Sequence, residues 1–255
     1  MPEAAVLPSR RDEAWRYADI GALERLGVDA LGQWKDITLA PGETRSHCMV
    51  VGSANPELHR VRLTLGEGAR AEMFTVIAGS ESCRVEVEVT LAKGAHFEFG
   101  GVTIGGGTGE LGATREFVTQ VVHAEPDATS HQIVRSVHWG QGTGNFLGEI
   151  KVARDAQRTD AAQDFKGLLL EKGASANAVP QLEIFADDVK CAHGATVGQL
   201  DESARFYMAA RGLPPQVAKR LLVQAFIADA LVALGDEDEQ QRLLDAALDA
   251  LGDAV

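Results

Sequence analysis

The chain has 255 residues, 45% of them hydrophobic but only 5% aromatic, so it can bury a core and must build it mainly from Val, Leu, Ile and Ala. A formal net charge of −13, relieved only by the short Arg10-Arg11 pair, repels phosphate backbones and anionic lipid, which sets nucleic acid and membranes aside as partners. No run approaches the roughly 20 apolar residues of a membrane span, and the charges between Met1 and Ile20 leave no apolar centre for a signal peptide, so the expected location is cytoplasmic.

In chain order, Asp12 to Leu31 is predicted to be helical, with Trp15, Tyr17, Ile20 and Leu23 as its apolar residues, inside an N-terminal helical segment over 1–38. From 39 to 200 short Val/Ile/Phe-rich runs end in small or turn-forming residues, the pattern of strands. Arg84 to Leu91 alternates strictly, which predicts a strand with one wet face. Twenty-seven glycines against eight prolines are spread among these runs and point to tight turns. One corner recurs. Leu65 to Met73, Leu91 to Phe99, Val152 to Gln157 and Leu170 to Ala176 each carry an apolar residue, two intervening positions, then Gly or Asp followed by Ala; Ala124 to Ala128 repeats it loosely. Recurrence at roughly 18 to 33 residues is the sign of a β-solenoid, in which each coil covers only its neighbours. A β-sandwich with Gly-Ala hairpins is the competing architecture. Over 201–255 the texture turns helical: Asp201 caps a first helix, Gly212 and Pro214-Pro215 stop it and start a second over Pro215 to Leu234, and Asp238 to Leu251 forms a third. In the second helix Val217, Leu221, Leu222, Ala225, Phe226, Ala228 and Val232 are predicted to share one apolar face.

Cys48, Cys83 and Cys191 lie far apart, so neither a disulfide framework nor a self-contained four-ligand metal site is legible. Cys191 and His193 stand two apart, which on a strand puts both side chains on one face. A thiolate and an imidazole so placed can both reach one metal ion, although a buried cysteine beside an unrelated imidazole would read the same. As nucleophile and base they would sit roughly 6 to 7 Å apart, too far for a direct hydrogen bond. Glu183, Asp187 and Asp188 keep open a β-helical polysaccharide lyase or hydrolase, against which stands the opposed direction of adjacent strand side chains. His47, His59, His96, His123, His131 and His138 have no metal-like spacing and receive no role. Gly105 to Gly109 lacks the Lys-Ser/Thr of a phosphate loop and reads as a flexible turn.

The stretch from Pro180 to Asp201, with Cys191, His193 and Gly194 inside it, followed by Phe206-Tyr207 and Arg211-Gly212, resembles the signature of the SufB/SufD family of iron–sulfur cluster assembly scaffolds, in its SufD-type form. Phe146 to Val152, Ala156-Gln157, Thr159 to Ala161, Gln163 and Leu168 to Leu170 are similar to the preceding coils of that family, and Arg10 to Asp19 to its N-terminal opening. The resemblance implies a right-handed parallel β-helix with a short N-terminal helical segment and a C-terminal α-helical domain. It also implies a non-enzymatic scaffold subunit that pairs with SufB through the β-helices, forms a homodimer in isolation, and docks the SufC ATPase through its C-terminal helices. Phe206, Arg211, Leu222 and Phe226 are the expected partner-binding residues. His193, accompanied by Cys191, is the expected metal or proton-carrying residue of a transient iron–sulfur cluster site shared with SufB. A flavin is associated with the complex in this family, with no residue here to assign to it. The short stretch before the β region implies a reduced N-terminal helical domain.

Overall fold

The architecture comes from a computed structural model that describes residues 7–107 and 112–252. Within them twelve strands form two parallel six-stranded sheets. One sheet holds β1 (Lys35–Leu39), β3 (Glu57–Leu65), β5 (Cys83–Leu91), β7 (Thr114–His123), β9 (Thr143–Val152) and β11 (Ser175–Ile184) in that order. The other holds β2 (Thr44–Val51), β4 (Arg70–Ile77), β6 (His96–Gly105), β8 (Thr129–His138), β10 (Asp160–Leu169) and β12 (Lys190–Gly198). Consecutive strands alternate between sheets and every ladder joins one coil to the next, which is a parallel β-helix and excludes the sandwich. Residues stacked on neighbouring coils lie from 26 positions apart (Arg60 and Glu86) to 33 apart (His96 and Thr129).

The repeated corner works as a stack of left-handed residues. Gly42, Gly68, Gly94, Asp127 and Arg158 all have positive φ, and each N–H donates to the next coil: Gly68 to Lys93 O, Gly94 to Pro126 O, Asp127 to Gln157 O, Arg158 to Asp188 O. At four of the five the residue that follows is sealed, namely Ala69, Ala95, Ala128 and Thr159; Glu43, after Gly42, is half-buried. In the Val152–Gln157 copy the left-handed residue is therefore Arg158 and not Asp155, and it is held by two bonds to the Asp127 carboxylate at 2.6 and 2.7 Å. The Leu170–Ala176 copy belongs to a different corner: Gly173 lies against Gly140 and Gln141 of the coil before. Thr108 and Gly109 of the glycine-rich turn lie outside the described residues.

The space between the sheets is filled by inward side chains such as Val61, Leu63, Val85, Val87, Phe97, Phe99 and Phe117, each no more than 6% exposed. Burial of one such side chain contributes about 1.5–3 kcal/mol. The outer faces are covered by the two ends of the chain. The N-terminal segment is not one helix: a 3-10 turn (Glu13–Trp15), α1 (Ile20–Leu26) and a second 3-10 turn (Val28–Gly32) succeed one another, because Asp19 caps α1 and Gly27 takes φ 82°. This strap crosses the outer face of the odd-numbered sheet, where Tyr17 O accepts from Asn145 and Ala14 O from Arg84. The predicted wet face of Arg84–Leu91 is consequently covered in its first half, while Glu88 is half-buried and Thr90 exposed, as expected. Arg84 and Glu86 are buried, paired with each other at 2.6 Å, and Arg84 lies 3.8 Å from the Trp15 ring. Glu116 beneath them is paired with Arg84 and sealed; its burial raises the carboxyl pKa, and the Arg84 charge opposes the shift.

The outer face of the even-numbered sheet carries α3 (Pro215–Ala228) and α4 (Glu237–Leu251), preceded by α2 (Glu202–Ala210), whose first turn the Asp201 carboxylate caps through Ser203 N–H. Val223, Ile227, Leu231, Leu243 and Leu248 pack on Phe74, Val76, Val102 and Val137. The buried stripe of α3 differs from the one expected: Ala218, Val223 and Ile227 face inward, while Val217, Leu221 and Val232 are exposed. The helix stops at Ala228 rather than Leu234, and the following turn presents Asp229 to the buried Arg135 guanidinium at 2.9 Å. Among the described residues no helix is long and apolar enough to cross a membrane.

Candidate functional site

Cys191 and His193 lie on β12, the outermost strand of its sheet, bonded to β10 on one edge and to no described strand on the other. Register places Cys191 beside Ala161 and His193 beside Gln163, and Ala161 and Gln163 are buried between the sheets. Cys191, His193, Ala195 and Val197 therefore continue inward-facing rows, as strand alternation requires. These rows reach the end of the solenoid without another described coil to cover them, so positions that are sealed one coil earlier are open here. Cys191 is half-buried against the small cluster of Ile150, Val152, Ala156, Ala161 and Ala186, and His193 is exposed. Burial, then the Asp160 carboxylate, push the Cys191 thiol up from its ordinary value, so the environment favours the protonated thiol.

Among the described residues no third thiol, imidazole or carboxylate joins Cys191 and His193 in a cluster close enough to complete a metal site. Among the described residues, Cys191 and His193 are thus at most two potential donors at that place, fewer than the four of a self-contained tetrahedral metal site. The same terminal coil also exposes three apolar side chains, Ile184, Phe185 and Val197. Sequence spacing missed Gln163. It lies one coil beneath His193, 2% exposed, with its Nε2 donating to Gly148 O and Gln181 O and its Oε1 buried without a hydrogen-bond partner. Only the coil register, 30 residues from strand to strand here (193 − 163 = 30), brings the two together.

The other carboxylates considered do not converge. Asp187 and Asp188 are exposed at the corner before β12, where Asp188 N–H donates to Gln157 Oε1 and its C=O accepts from Arg158 N–H. Glu183 is exposed on β11, 3.6 Å from Lys151. Of the expected partner-binding residues, Phe206 is 78% exposed on α2 and Arg211 stacks its guanidinium 4.9 Å from the Tyr207 ring. Leu222 and Phe226 are half-buried, Phe226 against the core under the helices, and both line a depression with Leu168, Val197 and Leu200. The apolar surface facing solvent in this region is Phe206, Tyr207, Val217 and Leu221.

A family model described as the SufBD core domain of SUF-system FeS cluster assembly matches residues 47–226. The chain belongs to this family. SufD of Escherichia coli is 40% identical over 126 residues, which are 49% of this chain and 30% of that protein. The chloroplastic protein ABCI7 of Arabidopsis thaliana is 38% identical over 114 residues, 44% of this chain and 24% of its own length. An iron–sulfur cluster assembly SufBD family protein of Mycobacterium leprae is 28% identical over 258 residues, 96% of this chain and 60% of that protein. In each case the match covers less than two thirds of the relative. The SufBD core spans β2 to α3, so it includes the terminal coil with Cys191 and His193 and the helix carrying Leu222 and Phe226. Within the family the chain is of the SufD type.

Proposed function

We propose that this SufD-type chain is a scaffold subunit for iron–sulfur cluster assembly, in which His193 and Cys191 supply one half of a site completed by SufB. The observation that carries the reading is that both side chains occupy inward-facing positions of a solenoid coil left open at its edge. A partner β-helix set against β11 and β12 would cover the exposed Ile184, Phe185 and Val197 and bring its own ligands to His193. The nascent cluster is cargo at this interface, built and passed on. In the absence of SufB, the same open coil would pair with a second copy of the chain. SufC would dock on the exposed face of α2 and α3, with Phe206, Tyr207 and Leu221 as anchors and Arg211 at its margin. ATP hydrolysis is then the work of SufC, and this chain is not itself an enzyme. In this reading residues 1–38 would serve as strap, 39–200 as scaffold and 201–255 as docking cap. A flavin is assigned to the assembled complex and to no residue of this chain. The cytoplasm is the compartment in which these partners would meet.

Co-expression with SufB and SufC, followed by size-exclusion chromatography and iron and sulfide analysis, tests the proposal. A stable ternary complex that accumulates iron and sulfide is expected; failure to co-elute with either partner would sink it. His193→Ala is expected to leave the complex intact and lower cluster yield, and a wild-type yield would show that His193 only fills space. The exposed Asp187 and Asp188 favour no second, polysaccharide-cleaving reading.

A further inference from the structure

A second set of ligand atoms lies well away in sequence from the terminal coil. Glu57 opens β3, Cys83 opens β5, and the parallel register pairs the two directly. His59 is two residues past Glu57 and shares the inward face that continues into Val61, Leu63 and Leu65. One carboxylate oxygen, one imidazole nitrogen and the Cys83 sulfur all lie within 4.8 Å of one another. No other group of three such side chains among the described residues meets that spacing.

From this geometry we infer that Glu57, His59 and Cys83 form a binding site for one divalent transition ion of the Zn2+ type, with a fourth position open to water. A tetrahedral ion bonded at about 2.0–2.3 Å holds its ligand atoms roughly 3.3–3.8 Å apart. Side-chain adjustment of about 1 Å therefore closes the trio onto an ion, the Glu57–His59 contact opening from 2.7 Å and the sulfur moving nearer. One nitrogen, one oxygen and one sulfur donor suit a borderline ion and suit Mg2+ or Ca2+ poorly, since those take oxygen.

The surroundings fit the role. Gly52 N–H donates to Glu57 Oε2 at 3.0 Å, the outer hydrogen bond that fixes a ligating carboxylate. That turn is held rigidly: Gly52 and Gly79 touch so closely that a Cβ on Gly79 would come 2.3 Å from Ser53 N. Arg115, next to Cys83 in register, is tied to Gly79 O and Gly106 O and so closes the floor of the site. Burial, then the Glu57 carboxylate, push the Cys83 thiol up and Arg115 opposes them, so a bound ion must displace the proton. The side chains grade from 37% exposed at His59 to 24% at Glu57, with Cys83 2% exposed as a residue, so the site has an open mouth and a closed floor.

The test uses metal-free chain carrying Cys191→Ala and His193→Ala, so that the terminal coil cannot compete. Zn2+ titrated by calorimetry is expected to bind at one equivalent, and Co2+ in its place to give a sulfur-to-cobalt charge-transfer band. Cys83→Ser should abolish that band, and Glu57→Gln and His59→Gln should each weaken Zn2+ at least about 100-fold, beyond the 10- to 100-fold that outer-shell changes cost. No stoichiometric binding, or a cobalt band that survives Cys83→Ser, overturns the inference. Should Cys83→Ser fail to fold, the other two variants decide it: unchanged affinity in both is a refutation.

Discussion

Removal of the Asp229 carboxylate tests how the helical cap is fastened to the solenoid. Arg135 lies on the outer face of β8 with a side chain only 2% exposed, yet it contributes a full charge to the joint. Its Nε donates to Asp229 Oδ2 at 2.9 Å, and its other nitrogens reach the Asp164 carboxylate, Val134 O at 2.9 Å and Asp164 O at 3.2 Å. In Asp229→Ala the guanidinium keeps Asp164 and two carbonyls, so it is not orphaned and the 3–5 kcal/mol of a broken buried pair does not apply. A charge-assisted hydrogen bond contributes about 1.5–3 kcal/mol. Because Asp229 is 49% exposed, solvent screening brings the expected loss to about 1.5 kcal/mol. For a chain of this size that is a fall in Tm of about 3–6 °C. Thermal unfolding by circular dichroism, combined with Arg135→Met in a double-mutant cycle, isolates the coupling, expected at about 1–2 kcal/mol. Coupling below about 0.3 kcal/mol would refute the clamp and leave the cap held by apolar packing alone.

Gly100→Ala probes the same joint sterically. Its Cβ would come 2.1 Å from Ala230 O and 2.4 Å from Phe74 Cδ1, so the turn after α3 must lift, at a cost of about 1–3 kcal/mol and with faster amide exchange over 229–251; unchanged exchange there would contradict the contact. Acid should unfold the chain in a defined window. Burial drives the pKa of His123 to about 4 and that of His138, with help from the nearby Arg115 charge, to about 3. Both stay neutral when folded and gain protons only on unfolding, so stability is full above the unfolded value of about 6.5 and falls as pH drops from there toward 4, by about 1.4 kcal/mol per pH unit for each. A urea midpoint flat between pH 7 and 5 would show that these histidines titrate normally.

The coils were legible because a solenoid writes its corner chemistry once per turn, at Gly68-Ala69, Gly94-Ala95 and Asp127-Ala128. Alternation in Arg84–Leu91 indicated the strand and a wet outer face that holds at Glu88 and Thr90 but fails at Arg84 and Glu86, since the strap that buries these two comes from residues 70 positions earlier, as the bond to Ala14 shows. Helical periodicity found α3 and α4 but set the α3 face about one residue off, because Val217 and Leu221 are apolar without being buried. Cys191 and His193 were visible as a pair because they share a strand; Gln163, and the meeting of Cys83 with His59, depend on coil register, which no local pattern encodes.

The interior also changes character along the solenoid. Inward positions of β3 to β6 are mostly apolar, Val61, Leu63, Met73, Val85, Phe97 and Phe99 among them, with Glu57, His59 and Cys83 at the strand starts. Those of β8 and β10, in contrast, include Ser130, Gln132 and Gln163, all buried. Thr119 donates to Gln132 Oε1 at 2.6 Å, but Gln132 Nε2 and Gln163 Oε1 are left without hydrogen-bond partners, and the Gln163 bonds to Gly148 O and Gln181 O are long at 3.3 and 3.2 Å. An unsatisfied buried amide atom costs about 1–3 kcal/mol. Unpartnered buried atoms occur in earlier coils too, at His47, Thr75, His96 and His123; Gln163 differs from these in lying directly beneath His193. Gln163→Leu removes the orphaned oxygen and fills the same space with apolar atoms, so the isolated chain should gain about 1 kcal/mol of stability, read as a higher urea midpoint. A lower midpoint would mean that the Gln163 bonds outweigh its unpaired oxygen, and that the terminal coil is held together by polar contacts of its own.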